Sequence, residues 1–155
     1  MEYISVIIDY LPFSFNGFKL GLTTFLFGLF LDNTISINSK NKLIENDSKL
    51  LFKGYEKVFT NLCVLSPVFY YYLDNYLITH NEISINFIKY SCLISTHSVG
   101  YYLGHLAMHK IKFIQPIHKF HHKFTTNLIP SIGNAVSASE FTFAYVSPFL
   151  IGSYL

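Results

Sequence analysis

The segment Leu11–Leu31, LPFSFNGFKLGLTTFLFGLFL, carries a single charge, Lys19, and none at all from Leu20 to Leu31. A helix of about 20 apolar residues spans the hydrocarbon core of a bilayer. In lipid every backbone polar group has to be satisfied inside the segment, so such a run folds as a helix. The rest of the chain points the same way. Charged residues are 13% of its 155 residues, where soluble proteins average about 25%, and aromatics are 18%. That is too little polar surface to cover a water-soluble core. The expected fold is all-α: an integral-membrane helical bundle of three to four spans.

Three further apolar runs supply the other spans. Val58–Ile78 has Pro67 in its middle, which predicts a kink or break, and one acid, Asp74. Asp74 fits either the water interface or a buried partnership with a histidine. Ile85–Gly104 is interrupted only by Lys89 and His97, and Asn134–Leu155 contains Glu140 and Pro148. The short polar turn Thr79–Ser84 joins the second and third runs as an antiparallel hairpin. Its His80 is not expected to be a ligand. Between the first two runs, Asp32–Lys57 holds five lysines and four acids and reads as an extramembrane loop. Within it Ser48–Lys57 has the pattern of a short interfacial helix, with Leu50, Leu51 and Tyr55 on one face. The expected organisation is residues 1–57 as an N-terminal membrane helix and polar loop, followed by a second unit over 58–155. Gly17 and Gly21 form one GxxxG pair, a weak sign of helix association. No internal repeat is evident.

Several classes of function are excluded. All 11 basic residues are lysine, and they form no basic stripe, so a nucleic-acid partner is not expected. Cys63 and Cys92 lie in apolar stretches without metal-binding spacing and read as small buried hydrophobes. The N-terminus carries Glu2 and Asp9 and lacks the basic region of a signal peptide.

Chemistry is concentrated in HLAMHKIKFIQPIHKFHH, residues 105–122, which holds five of the seven histidines. His105 and His109 are four apart, so on a helix both rings leave from one face. His118, His121 and His122 span about 100° of a helical wheel. Gln115-Pro116 between the groups predicts a helix end and a new start. Two facing helices would aim five imidazoles into one gap, and imidazole is the commonest side-chain metal ligand. Lysines flank this end of the hairpin (Lys110, Lys112, Lys119, Lys123) and the loop 32–57, while Thr79–Ser84 has none. The positive-inside rule then places the histidines on the cytosolic side, in the endoplasmic reticulum or a related membrane.

YYLGHLAMH, then HKFHH, then NAVSASEFTFAY resembles the fatty acid hydroxylase superfamily, also called the sterol desaturase family, over roughly Val58–Tyr145. The resemblance implies an integral-membrane, non-haem iron oxidoreductase of lipid metabolism, di-iron in the family, that hydroxylates or desaturates a lipid with O₂ and electrons from a reductase. It makes His105, His109, His118, His121 and His122 the metal ligands and Tyr102 the aromatic that precedes the first box. The chain departs from the pattern at Leu106, where the family has Arg, and at Ser98, where it has Asp. No histidine follows His122, so the third box is missing and residues 58–155 correspond to a truncated domain of this family. Activity would then need a second chain to supply that box. The alternatives are an inactive truncated relative, a non-catalytic metal-binding membrane protein, and a membrane interaction protein with solvated histidines.

Overall fold

The computed structural model describes residues 2–76, 87–124 and 128–153. The fold is all-α, with no strand among the described residues. The turn predicted at residues 79–84, with His80, lies outside the described residues, as does the side chain of Asp74.

Helix α1 (Glu2–Thr34) contains the near-uncharged run and is followed at once by α2 (Ile37–Phe59). The polar segment expected as a loop is therefore helical. Its buried residues Leu43, Leu51, Gly54 and Val58 fall on one face of a helix, which outweighs the charge density of the other. At Asp47 the backbone leaves the helical region (φ −158°, ψ 83°), and the Asp47 carboxylate accepts the Leu50 N–H at 2.9 Å. This is an N-cap, so a new helix starts at Ser48. Its Leu50, Leu51 and Tyr55 were expected at the membrane interface. They pack instead against the protein, in a core formed with Val58, Phe124, Ile129, Ile132 and Ala135. That core joins residues from both sides of position 57.

From Phe59 the helix continues through a π turn, Thr60–Leu65, into α3 (Ser66–Tyr76). Pro67 thus widens the helix rather than breaking it. A proline ring clashes with the carbonyl four residues back and donates no hydrogen bond. The π turn relieves this by shifting the register, so that the Ser66 N–H reaches the Asn61 carbonyl. The same device recurs. Helix α4 (Phe87–Lys110) is followed by the short α5 (Gln115–His118), a 3₁₀ turn over His121–Phe124 and another over Pro130–Asn134. Then α6 (Ala138–Glu140) runs through a second π turn, Phe141–Val146, into α7 (Ser147–Ser153), with Pro148 one residue past Ser147.

Each wide turn faces a glycine pair. The α1 pair Gly17 and Gly21 lies on Pro67, Tyr70 and Leu62. A Cβ on Gly21 would stand 1.9 Å from the Leu62 carbonyl oxygen. On α4, Gly100 lies on Pro148, where a Cβ would meet the proline ring at 2.5 Å, and Gly104 lies on Ala144. The chain is thus two antiparallel helix pairs built alike. GFKLG packs on a Ser-Pro helix in the first, and GYYLG on a Ser-Pro helix in the second. This weak repeat is invisible without the pairing, because only the glycines, the leucine and the Ser-Pro coincide. The GxxxG on α1 serves contact within the chain.

Among the described residues one helical stretch, Ser14–Thr34, is long and apolar enough to cross a membrane. Its outer face exposes Phe15, Leu20, Leu26, Phe27 and Phe30. On α4 Ile88, Ile94, Val99 and Leu103 are likewise exposed.

Candidate metal centre

The five clustered histidines come together at one end of the bundle. His105 and His109 leave the last turns of α4 one turn apart, as their spacing predicts. His118, His121 and His122 do not share a helix. His118 ends α5, and His121 and His122 open the 3₁₀ turn after a bend at Lys119–Phe120. Pro116 sits in the first turn of α5, where its missing N–H costs nothing.

His118 is the hub. Its ring centroid is 4.4 Å from those of His105 and His122, 4.8 Å from His109 and 5.7 Å from His121. The Nε2 atoms of His105 and His109 are 3.2 Å apart. With metal–nitrogen bonds of about 2.1 Å, two nitrogens on one ion are separated by about 3.0–3.4 Å. Candidate ligand atoms of His105, His109 and His118 all lie within 4.8 Å of one another. His118 is buried, His105 and His121 are half-buried, and His109 and His122 are exposed along a cleft shared with Gln115, Pro116 and Lys119.

Glu140 holds the hub. Its Oε1 is 2.5 Å from His118 Nδ1, and both residues are 1% exposed. When Glu140 is ionised it only accepts, so Nδ1 then carries the proton and Nε2 keeps its lone pair for the cluster. This is the arrangement by which a carboxylate orients a metal-binding imidazole. Sequence reading placed Glu140 in an apolar segment without a role. It lies 22 residues from His118, and no spacing rule links them. One signal was present: Ser137-Ala138-Ser139-Glu140 spells a capping box. Half of the box is made, by the Glu140 N–H donating to Ser137 Oγ at 3.1 Å. The other half is given up, because the glutamate side chain has turned to the histidine.

The donor set suits a metal ion. His105 Nδ1, His118 Nε2, His121 Nδ1 and Glu140 Oε2 are buried without a partner among the described residues. Buried polar atoms in folded proteins are nearly always paired, and three of these four belong to the clustered histidines, where a bound ion would satisfy the Nε2 atom of the hub. The rings are also held neutral, as ligands have to be. Burial first, then the His122 and His109 rings, push the His118 imidazole down to about 4. Burial and the neighbouring His118, His122 and His105 rings lower His121 as well.

The remaining candidates lie apart. The His97 ring packs on Phe149, with centroids 6.0 Å apart. Tyr102 is 62% exposed. The aromatic that stands on the histidines is its neighbour Tyr101, 5.7 Å from the His105 ring and 4.8 Å from Tyr145. Cys63 is buried as expected, and Cys92 is exposed.

Compared with family models, curated proteins and solved structures, the chain gives no match.

Proposed function

We propose that the protein is a membrane-bound, non-haem iron oxidoreductase of lipid metabolism, similar in its histidine boxes to the fatty acid hydroxylase superfamily. The observation that carries this reading is the convergence of two separate histidine boxes on His118, whose buried Nε2 has no partner among the described residues. Iron, when bound, supplies the redox change that activation of O₂ and attack on a lipid C–H bond require, which zinc lacks. His105, His109, His118, His121 and His122 would hold it. Glu140 keeps the His118 proton on Nδ1, and the burial of both groups keeps water from that side of the site.

In this proposal the chain forms three to four spans, and Ser14–Thr34 is long and apolar enough to be one of them. The lysines flanking the cluster support a cytosolic placement, in the endoplasmic reticulum or a related membrane. The exposed apolar faces of α1 and α4 support immersion in lipid. The substrate is a lipid, and the electrons come from a reductase. The competing reading is a non-catalytic metal-binding membrane protein. It gains from the same cluster, because five imidazoles suffice for one ion.

The test is metal analysis of the detergent-purified chain, wild type against His118→Ala/His121→Ala. Stoichiometric iron is expected in the first and none in the second. Iron retained by the double variant refutes histidine ligation. Zinc in place of iron, with no oxygenated or desaturated lipid on reconstitution with a reductase, moves the protein to the non-catalytic reading.

A further inference from the structure

We infer that Asn61, which lies outside the histidine cluster, is a positioning residue for it, acting through the backbone that carries Glu140. This rests on the reading of the histidines as a metal centre. Asn61 is 1% exposed and sits in the first π turn. Its side-chain N–H groups reach across the fold to two backbone carbonyls, of Val136 at 3.1 Å and of Asn134 at 3.3 Å. Asn134 ends the 3₁₀ turn Pro130–Asn134, and Val136 lies in the short stretch between that turn and α6. The Asn134 carbonyl also accepts the Val136 N–H at 2.9 Å, so the carboxamide clamps a tight backbone turn from another element and fixes where the stretch runs.

What the bracket holds is one residue from the site. Val136 is followed by Ser137, whose hydroxyl accepts the Glu140 N–H, and Glu140 in turn meets His118. From the Asn61 carboxamide to the His118 imidazole the links are two backbone carbonyls, one helical cap and one carboxylate contact. A shift of Val136 by a few tenths of an ångström passes through a single turn of helix to the Glu140 carboxylate. That carboxylate decides which nitrogen of the hub histidine bears the proton. Orientation of a ligating imidazole by its partner is worth about 10–100-fold in metal affinity. Asn61 also explains a use for the π turn, which offers a buried carboxamide to a neighbouring segment without ending the helix.

The experiment follows the tautomer of His118 in the full-length, metal-free chain in detergent micelles, by ¹⁵N–¹H correlation of its imidazole, together with Co²⁺ titration. The wild type is expected to show the proton on Nδ1. Asn61→Leu, of similar size and without donors, is expected to give a mixture of tautomers. It is also expected to bind Co²⁺ about tenfold more weakly, with an altered visible band envelope. Asn61→Ser, too short to span both carbonyls, is expected to shift the tautomer in the same direction and decides the matter if the leucine variant does not fold. Val58→Ala, a loss of buried volume on the same helix, is expected to lower the thermal midpoint while leaving the tautomer as in the wild type. An unchanged His118 tautomer in folded Asn61→Leu or Asn61→Ser overturns the inference. So does a Val58→Ala variant that shifts the tautomer equally, because the effect is then general loosening. Failure of the wild type to bind Co²⁺ while the tautomer still responds to Asn61 sinks the metal reading and leaves the positioning role standing.

Discussion

Glu140→Gln should weaken metal binding about tenfold, and Glu140→Ala more. Both Glu140 and His118 are 1% exposed, and their contact is 2.5 Å, so little solvent screens the bond. A hydrogen bond to a charged group contributes about 1.5–3 kcal/mol, and a neutral one about 0.5–1.5. Glutamine keeps an acceptor but loses the charge, a difference of about 1–1.5 kcal/mol. At about 1.4 kcal/mol per decade, that is roughly a factor of ten. The amide can also turn its NH₂ toward Nδ1. That drives the proton to Nε2 and blocks the lone pair the cluster needs. Alanine removes the partner altogether, leaves a buried N–H unpaired and frees the ring, so its loss should approach 100-fold. Titration with Co²⁺ in detergent, read from its visible absorption, gives both affinities. Wild-type affinity in the alanine variant, or an alanine variant that binds better than the glutamine one, would refute the account of Glu140 as the group that orients His118.

Three other outcomes are expected. Gly100→Ala puts a Cβ 2.5 Å from the Pro148 ring, whereas Gly104→Ala finds ordinary contact at 3.5 Å from Ala144; thermal unfolding should show the first less stable by about 1–3 kcal/mol and the second nearly unchanged. Asp32 is fully buried and accepts from the Ser131 N–H at 3.0 Å, the Tyr55 hydroxyl at 3.2 Å and the Ser131 hydroxyl. Asp32→Ala strands these donors and should cost about 3 kcal/mol or more in denaturant unfolding, while the Tyr55 phenol, held up at about 12 by burial and the Asp32 charge, should titrate closer to its usual value. The third concerns acid. His118 is depressed to about 4 when folded, and is about 6.5 when unfolded. As the pH falls through 6.5 the unfolded chain protonates this ring and the folded chain does not, so the contribution of His118 to the stability of the metal-free protein is lost between about pH 6.5 and 4. A His118 ring that protonates near 6.5 in the folded, metal-free chain, followed by its NMR shift, would count against the buried neutral hub, and bound metal should be released as the pH falls.

The histidine spacing was informative because imidazoles one helical turn apart share a face in any helix. The all-α character followed from the apolar runs for an equally local reason. What escaped was non-local. The charge density of Asp32–Lys57 concealed the period of Leu43, Leu51 and Val58, which packing against Phe124 and Ile132 reveals. Glu140 and Asn61 gained meaning only once the fold placed them beside His118 and Val136. The second histidine box misled in detail: its spacing suits one helix, yet His121 and His122 lie past a bend, and ring proximity to His118 rather than helical phase brings them in.

The second π turn sets the angular phase of its helix. Inserting one residue into a helical ladder advances everything downstream by roughly 100°. Glu140 lies just before that insertion, and Ala144, Pro148 and Gly152, which pack on α4, lie within or beyond it. The two ends of one rod are thereby aimed independently, the first at the imidazoles and the remainder at the glycine seam. Deleting a single residue from Phe141–Val146 would bring those aims into conflict, and the chain could keep its glutamate on target or its seam closed, but not both.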